Sequence, residues 1–265
     1  MPVMEGAEAF AHSGGRTGVL LCHGFTGSPQ SLRPWAEYLA KAGLTVSLPR
    51  LPGHGTTWQE MARTRWEDWF AEVARAFDEL HSDTDEIFLM GLSMGACLAL
   101  RLAELHGDAV RGLVLVNPSV TADTKLFLLA PALKLVVPSL KGIVSDIKKP
   151  GEAEIGYDRV PVKAAATLPG LWRTTQAHLS EVSQPVLVFH SSDDHLVGPA
   201  SLKVLAAALK PTQLEVRELA DSYHVATLDN DAEAIFVGSL EFVHTHSRAT
   251  TEAIGEASRE STGGE

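Results

Sequence analysis

A short apolar run, Ile87-Phe88-Leu89-Met90, leads directly into Gly91-Leu92-Ser93-Met94-Gly95 and then into Ala96-Cys97-Leu98-Ala99-Leu100-Arg101-Leu102-Ala103, so a buried strand has to become a helix within a few residues. So sharp a turn forces its apex residue into a strained backbone region and presses it against neighbouring chain, which glycine at both flanks accommodates. Ser93 stands at that apex with its hydroxyl pushed out above the sheet, the arrangement of a nucleophile elbow. The bare G-x-S-x-G pattern also recurs as an ordinary turn. The strand before it and the helix after it point to chemistry at the hydroxyl.

The rest of the chain repeats the same alternation. Strand patterns cover Gly18 to Phe25, Thr45 to Pro49, Glu86 to Leu92, Gly112 to Asn117, Pro185 to His190 and Leu214 to Leu219. Helix patterns cover Leu32 to Ala42, with Ser31 as cap and Gly43 as stop, then Trp66 to His81, Ser93 to His106, Pro169 to Leu179, Pro199 to Leu209 and Asp231 to Val243. Trp66, Trp69, Phe70, Val73, Phe77 and Leu80 fall at helical spacing and read as a core stripe. Repeated strand-helix units predict an α/β fold with a mostly parallel sheet covered by helices on both faces.

The alternation breaks between 119 and 167. This divides the 265 residues into a first core part (1–118), an inserted cap or lid (119–167), a second core part (168–247) and a polar tail expected to be disordered (248–265). The aliphatic stretch Leu126 to Val137 is interrupted by Pro131 and Lys134, whereas a bilayer crossing needs about 20 uninterrupted apolar residues. An apolar cap face could touch a lipid surface or pack on the core, and the two read alike in sequence.

A formal net charge of −11 leaves no basic footprint for nucleic acid. Two cysteines, Cys22 and Cys97, fall in apolar segments and read as packing thiols rather than a disulfide framework. No basic start followed by an apolar core opens the chain, which gives the expectation of a cytoplasmic protein. His23 and His54 do not fall at metal-binding spacing, so no metal is expected.

A serine needs a base, and the base needs an orienting carboxylate. The strand ending at His190 runs into Ser191-Ser192-Asp193-Asp194-His195, and the next runs into Asp221-Ser222-Tyr223-His224. Ligands gather at these strand ends in open α/β sheets, which makes His224 the candidate base. Most of the other histidines lie at termini, at helix ends, inside a strand, or directly after the acid. Asp193 and Asp194 are both candidate acids, because successive residues of an extended loop point in opposite directions. The negative oxygen of a tetrahedral intermediate needs backbone donors: Met94 N–H after the serine, and Phe25 N–H in the loop after the early strand.

These motifs resemble the α/β-hydrolase fold enzymes grouped as bacterial monoacylglycerol lipases and small carboxylesterases. The matching stretches are His23-Gly24-Phe25-Thr26-Gly27-Ser28-Pro29-Gln30-Ser31, Pro49-Arg50-Leu51, Gly53-His54-Gly55-Thr56-Thr57, the Ser93 pentapeptide, Ser145-Asp146-Ile147-Lys148, Asp194-His195, and the run from Asp221 to Asp231. Ala96 departs from the pattern where a third glycine is common. The resemblance implies Ser93 as nucleophile, Asp194 as acid, His224 as base, and Phe25 and Met94 as oxyanion donors. It also implies a mobile cap in which Glu154 hydrogen-bonds glycerol hydroxyls and Ile143 lines the same pocket. The activity so implied is hydrolysis of a small lipid ester, monoacylglycerol foremost, without cofactor. A short-chain carboxylesterase and a ligand-binding protein on the same scaffold are the competing expectations.

Overall fold

The computed structural model describes residues 2–122, 137–143 and 145–248. Most of the aliphatic cap stretch and nearly all of the expected tail lie outside the described residues.

Seven strands form one sheet: β1 (Phe10–His12), β2 (Thr17–Cys22), β3 (Thr45–Leu48), β4 (Glu86–Leu92), β5 (Val110–Val116), β8 (Val186–Ser191) and β9 (Leu214–Leu219). Their order is β1-β3-β2-β4-β5-β8-β9, with β1 antiparallel to β3 and every other pair parallel. Two further strands, β6 (Ser139–Lys141) and β7 (Arg159–Pro161), form a separate antiparallel ribbon. Among the described residues the helices are α1 (Arg33–Lys41), α2 (Trp58–Met61), α3 (Trp66–Asp83), α4 (Met94–His106), α5 (Val162–Ala165), α6 (Leu168–Gln176), α7 (Ala200–Ala208) and α8 (Ala232–His246).

Alternate residues of each central strand enter opposite layers of core. Leu20 and Cys22 of β2 join a cluster with Trp69, Val73, Phe77, Leu98 and Leu171 from α3, α4 and α6. Val19 and Leu21 join Trp35, Leu39, Ile235 and Phe242 from α1 and α8. The α3 stripe behaves as its spacing predicts, with Trp69, Val73, Phe77 and Leu80 buried and Trp66 and Phe70 packed at the margin.

Five features differ from the sequence expectation. The edge strand β1 and the β6–β7 ribbon consist of strands of three residues, too short for a period to register. The short helix α5 follows β7, and α2 precedes α3. At α1, residues Pro29–Leu32 form a single 3₁₀ turn, and the Ser31 hydroxyl donates back to Ser28 O at 2.9 Å instead of capping the helix.

Strand β2 lies between β3 and β4, so the chain steps outward from β2 to β3 and then returns across it to β4 and β5. The crevice beyond the carboxyl ends of β2 and β4 is this reversal point, where open α/β sheets bind ligands. Both glycines of the pentapeptide are needed to build it. A Cβ on Gly95 would overlap the carbonyl oxygen of Cys22, and one on Gly91 would overlap the backbone of Gly95. Gly95→Ala is expected to cost about 3 kcal/mol, because the obstacle is backbone that cannot rotate away. Its urea unfolding midpoint should fall accordingly, and an unchanged midpoint would show that α4 can shift off β2.

Among the described residues no helix is long and apolar enough to cross a membrane.

Candidate active site

Ser93 leaves β4 and enters α4 with φ +58° and ψ −118°, a conformation that persists in an L residue only where its surroundings impose it. Here backbone hydrogen bonds do so. Ser93 N–H donates to Val116 O at 3.0 Å, while Ser93 O accepts from Ala96 and Ser119 N–H, each at 3.1 Å. None of these involves the hydroxyl, which stays available on the wall of a cavity of about 680 Å³.

Met94 is the first residue of α4, so its N–H has no acceptor within the helix. The loop after β2 crosses beside it, and a Cβ added to Gly24 would lie 3.6 Å from Ser93 Cβ. His23 braces this loop by accepting from Leu51 N–H at Nε2 (3.2 Å), which leaves Nδ1–H to donate to Gly24 O at 3.0 Å. Burial pushes its imidazole pKa down to about 4, so the ring is neutral, as that tautomer requires. His54 packs edge-on to His23 at 5.0 Å between ring centroids and is likewise held neutral by burial. Among the described residues no group of His, Cys, Asp or Glu is arranged to hold a metal ion.

The adjacent parallel strands β8 and β9 deliver their following loops to the same edge of the sheet. There Nδ1 of His224 lies 2.7 Å from Oδ2 of Asp194. An ionised carboxylate only accepts, so Nδ1 is the donor and Nε2 carries the free lone pair. Asp194 Oδ1 accepts from Leu196 and Val197 N–H, each at 2.8 Å. Burial opposes the charge on Asp194, but the hydrogen bond and charge of His224, with the two backbone donors, hold its pKa below the usual carboxylate value. The Asp194 side chain is 2% exposed. Asp193 turns outward, with a side chain 58% exposed and 3.8 Å from His195 Nε2. The two carboxylates that spacing leaves open are thereby separated by orientation.

Glu154 follows β6, and hydrogen bonds fasten its segment to the loop after β2 and to the 3₁₀ turn before α1. Gln30 Oε1 accepts Ile155 N–H at 2.9 Å, Gln30 Nε2 donates to Ala153 O at 3.1 Å, and Thr26 O accepts Tyr157 N–H at 3.2 Å. Glu154 N–H also donates to Ser145 Oγ at 2.8 Å. These ties lay the carboxyl against Gly27, where an added Cβ would overlap Oε1. Burial raises the Glu154 pKa to about 7, against the lowering effects of His224 and a hydrogen bond with Ser31. Ile143 sits at the rim, 57% exposed. Phe25, Ser93, Met94, Ile143, Glu154, Asp194 and His224 all line the one cavity, whose apolar wall includes Leu92, Val160, Leu168 and Trp172.

Two residues of the site are not among those given a role from the sequence. Asn117, at φ +44° beyond β5, donates from Nδ2 to Ser191 Oγ at 2.9 Å and to His224 O at 2.8 Å, and its Oδ1 accepts Ser191 N–H at 2.8 Å. It ties the end of β8 to the histidine loop. Asp146, in the segment after β6, contacts the same loop, accepting His224 N–H at 3.2 Å. The one sequence signal for Asp146 is its place in the Ser145-Asp146-Ile147-Lys148 stretch.

The chain matches the family described as Hydrolase_4: Serine aminopeptidase, S33, over residues 15–231. It is 42% identical over 252 residues to the thermostable monoacylglycerol lipase of Bacillus sp. (strain H-257), an alignment covering 92% of this chain and 97% of that protein. A solved structure from a study of LipS and LipT, two metagenome-derived lipolytic enzymes, superposes with a TM-score of 0.89 at 39% identity, covering 92% of this chain and 100% of that one. The monoacylglycerol lipase of Paleococcus ferrophilus shares the fold, with a TM-score of 0.74 at 22% identity over 91% of this chain and 100% of that one. The chain belongs to the Hydrolase_4 (serine aminopeptidase, S33) family of α/β-hydrolases.

Proposed function

We propose that the protein is a cofactor-independent serine hydrolase that cleaves monoacylglycerol to fatty acid and glycerol. The observation that carries this reading is the hydrogen-bonded pair of Asp194 and His224 on the wall of the same cavity as Ser93. In the reaction, His224 Nε2 takes the Ser93 proton as Oγ attacks the ester carbonyl carbon. Phe25 and Met94 N–H hold the resulting oxyanion. The intermediate collapses as His224 passes its proton to the departing glycerol oxygen, leaving the acyl group on Ser93. Water, deprotonated by His224, then releases the fatty acid and restores the serine.

The substrate class follows from the lining. Leu92, Val160, Leu168 and Trp172 suit an acyl chain, while Glu154, beside the loop that carries Phe25, suits a small polyol. The segment 119–167 acts as a cap, contributing Ile143, Glu154 and Val160 to the cavity. Exposed Ile143 and Leu196 at the mouth, with Leu140 nearby in sequence, suit a transient contact with a lipid surface. The two unpaired buried thiols suit a reducing, cytoplasmic setting.

A substrate profile tests the reading. With monoacylglycerol, triacylglycerol and short p-nitrophenyl esters compared, kcat/KM should be highest for monoacylglycerol, with triacylglycerol about 10²-fold lower. Equal turnover of triacylglycerol, or activity confined to short esters, would overturn the assignment in favour of a general carboxylesterase.

Glu154→Gln is expected to raise KM for monoacylglycerol by about tenfold while leaving the methyl ester of the same fatty acid unaffected, because only glycerol offers hydroxyls to a charged acceptor. Its carboxyl ionises at a pKa of about 7. The parent KM should therefore fall as pH rises through that value, and the Gln variant should show no such fall.

A further inference from the structure

Asp146 is only 7% exposed, and the Asp194 and His224 loops converge on it. His224 N–H donates to its Oδ2 at 3.2 Å, and the His195 ring donates from Nδ1 to its Oδ1 at 2.7 Å. His195 N–H lies 3.4 Å from Oδ2, and the main-chain oxygen of Asp146 accepts Val225 N–H at 3.0 Å. His195 directly follows Asp194 and Val225 directly follows His224, so this one residue grips both loops next to the groups that form the Asp194–His224 hydrogen bond. Asp229 returns the tie from the core. Its carboxylate accepts Lys148 N–H at 2.7 Å, Lys149 N–H at 2.8 Å and Tyr223 N–H at 2.9 Å. The segment 145–149 and the histidine loop are thus fastened in both directions.

We infer that Asp146 is a positioning residue for proton transfer: from the insertion, it fixes the main chain of His224 and the loop of Asp194 so that the imidazole faces Ser93. The inference rests on reading Ser93, Asp194 and His224 as one relay. It makes the insertion part of the machinery that aims the base as well as a wall of the substrate pocket. Asp194 orients the ring of His224 through Nδ1, and Asp146 orients the backbone that carries the ring. Without Asp146 the His224 N–H loses its acceptor in a buried setting and the loop gains freedom. Proton transfer is sensitive to displacements of that size.

The test measures kcat and KM separately on a monoacylglycerol for Asp146→Ala and Asp146→Asn, with Ser93→Ala as control and thermal unfolding recorded for each. Asp146→Ala should lower kcat by about 10²-fold with KM within about threefold of the parent, since the lost interaction is made to the base and not to the ligand. Asp146→Asn keeps an oxygen acceptor without the charge, and should recover most of that loss, to about tenfold below the parent at unchanged KM. If Ser93→Ala is inactive while Asp146→Ala keeps the parent kcat, or loses activity through KM alone, the inference is overturned and the functional reading stands. If Ser93→Ala itself hydrolyses at the parent rate, the underlying reading fails instead. Should the alanine variant not fold, the asparagine variant decides, and a kcat equal to the parent's overturns the inference.

Discussion

Ser93→Ala is expected to lower kcat on a monoacylglycerol by about 10⁶-fold while leaving the protein folded. The size of the effect follows from the chemistry. The serine oxygen forms the bond to the acyl carbon, so its removal leaves only what the oxyanion donors and substrate binding achieve with water. The intact fold follows from the structure, because the hydrogen bonds at residue 93 run through its backbone N–H and carbonyl. Single-turnover kinetics and a thermal melt check both halves. Substantial residual turnover in a well-folded variant would place the nucleophile elsewhere.

Asp194→Asn is expected to lower kcat by about 10⁴-fold. Asp194 Oδ1 receives Leu196 and Val197 N–H. An asparagine that keeps its oxygen toward those donors must turn its amide toward His224. The amide then donates to Nδ1, and the imidazole proton moves to Nε2, where no lone pair remains to accept the proton of Ser93. The fold should again persist, since both backbone donors keep an acceptor. The same substitution carries a stability signature. Because the folded pKa of Asp194 is depressed, its ionisation contributes stability that is fully present above the unfolded value of about 4 and lost as pH falls through the folded value. Parent stability should therefore fall more steeply below about pH 4 than that of the Asn variant, measurable as denaturation midpoints across an acid series.

The parts of this architecture that show in the sequence are those whose signal is local. Strand β4 and strand β9 have the bounds their apolar patterns predict, and α4 begins one residue after the expected start. The elbow is legible because a strand, a helix and two close backbone approaches all constrain the same five residues. What escapes is set by distant chain. The strand Phe10–His12 exists because β3 offers it an edge, and nothing in three residues announces that pairing. The strands Ser139–Lys141 and Arg159–Pro161 likewise define each other across the intervening chain.

The choice between Asp193 and Asp194 follows the same logic. It is decided by which carboxylate the loop folds inward over Leu196 and Val197 N–H, a tertiary outcome that leaves no trace in spacing. Asn117 and Asp146 act by gripping backbone that is far away in sequence, so their chemistry becomes visible only when β5, β8, β9 and the insertion meet. Resemblance to a family pointed to the segment containing Asp146, but only its hydrogen bonds reveal which loops it touches.

Labelling with a fluorophosphonate, followed by peptide mass mapping, tests most directly whether Ser93 is activated by the Asp194–His224 pair. The expected result is a single adduct on Ser93 in the parent protein and labelling about 10²-fold slower in His224→Ala, since the reagent needs a hydroxyl whose proton can be taken up. An adduct on another residue, or undiminished labelling of Ser93 without the imidazole, would contradict it.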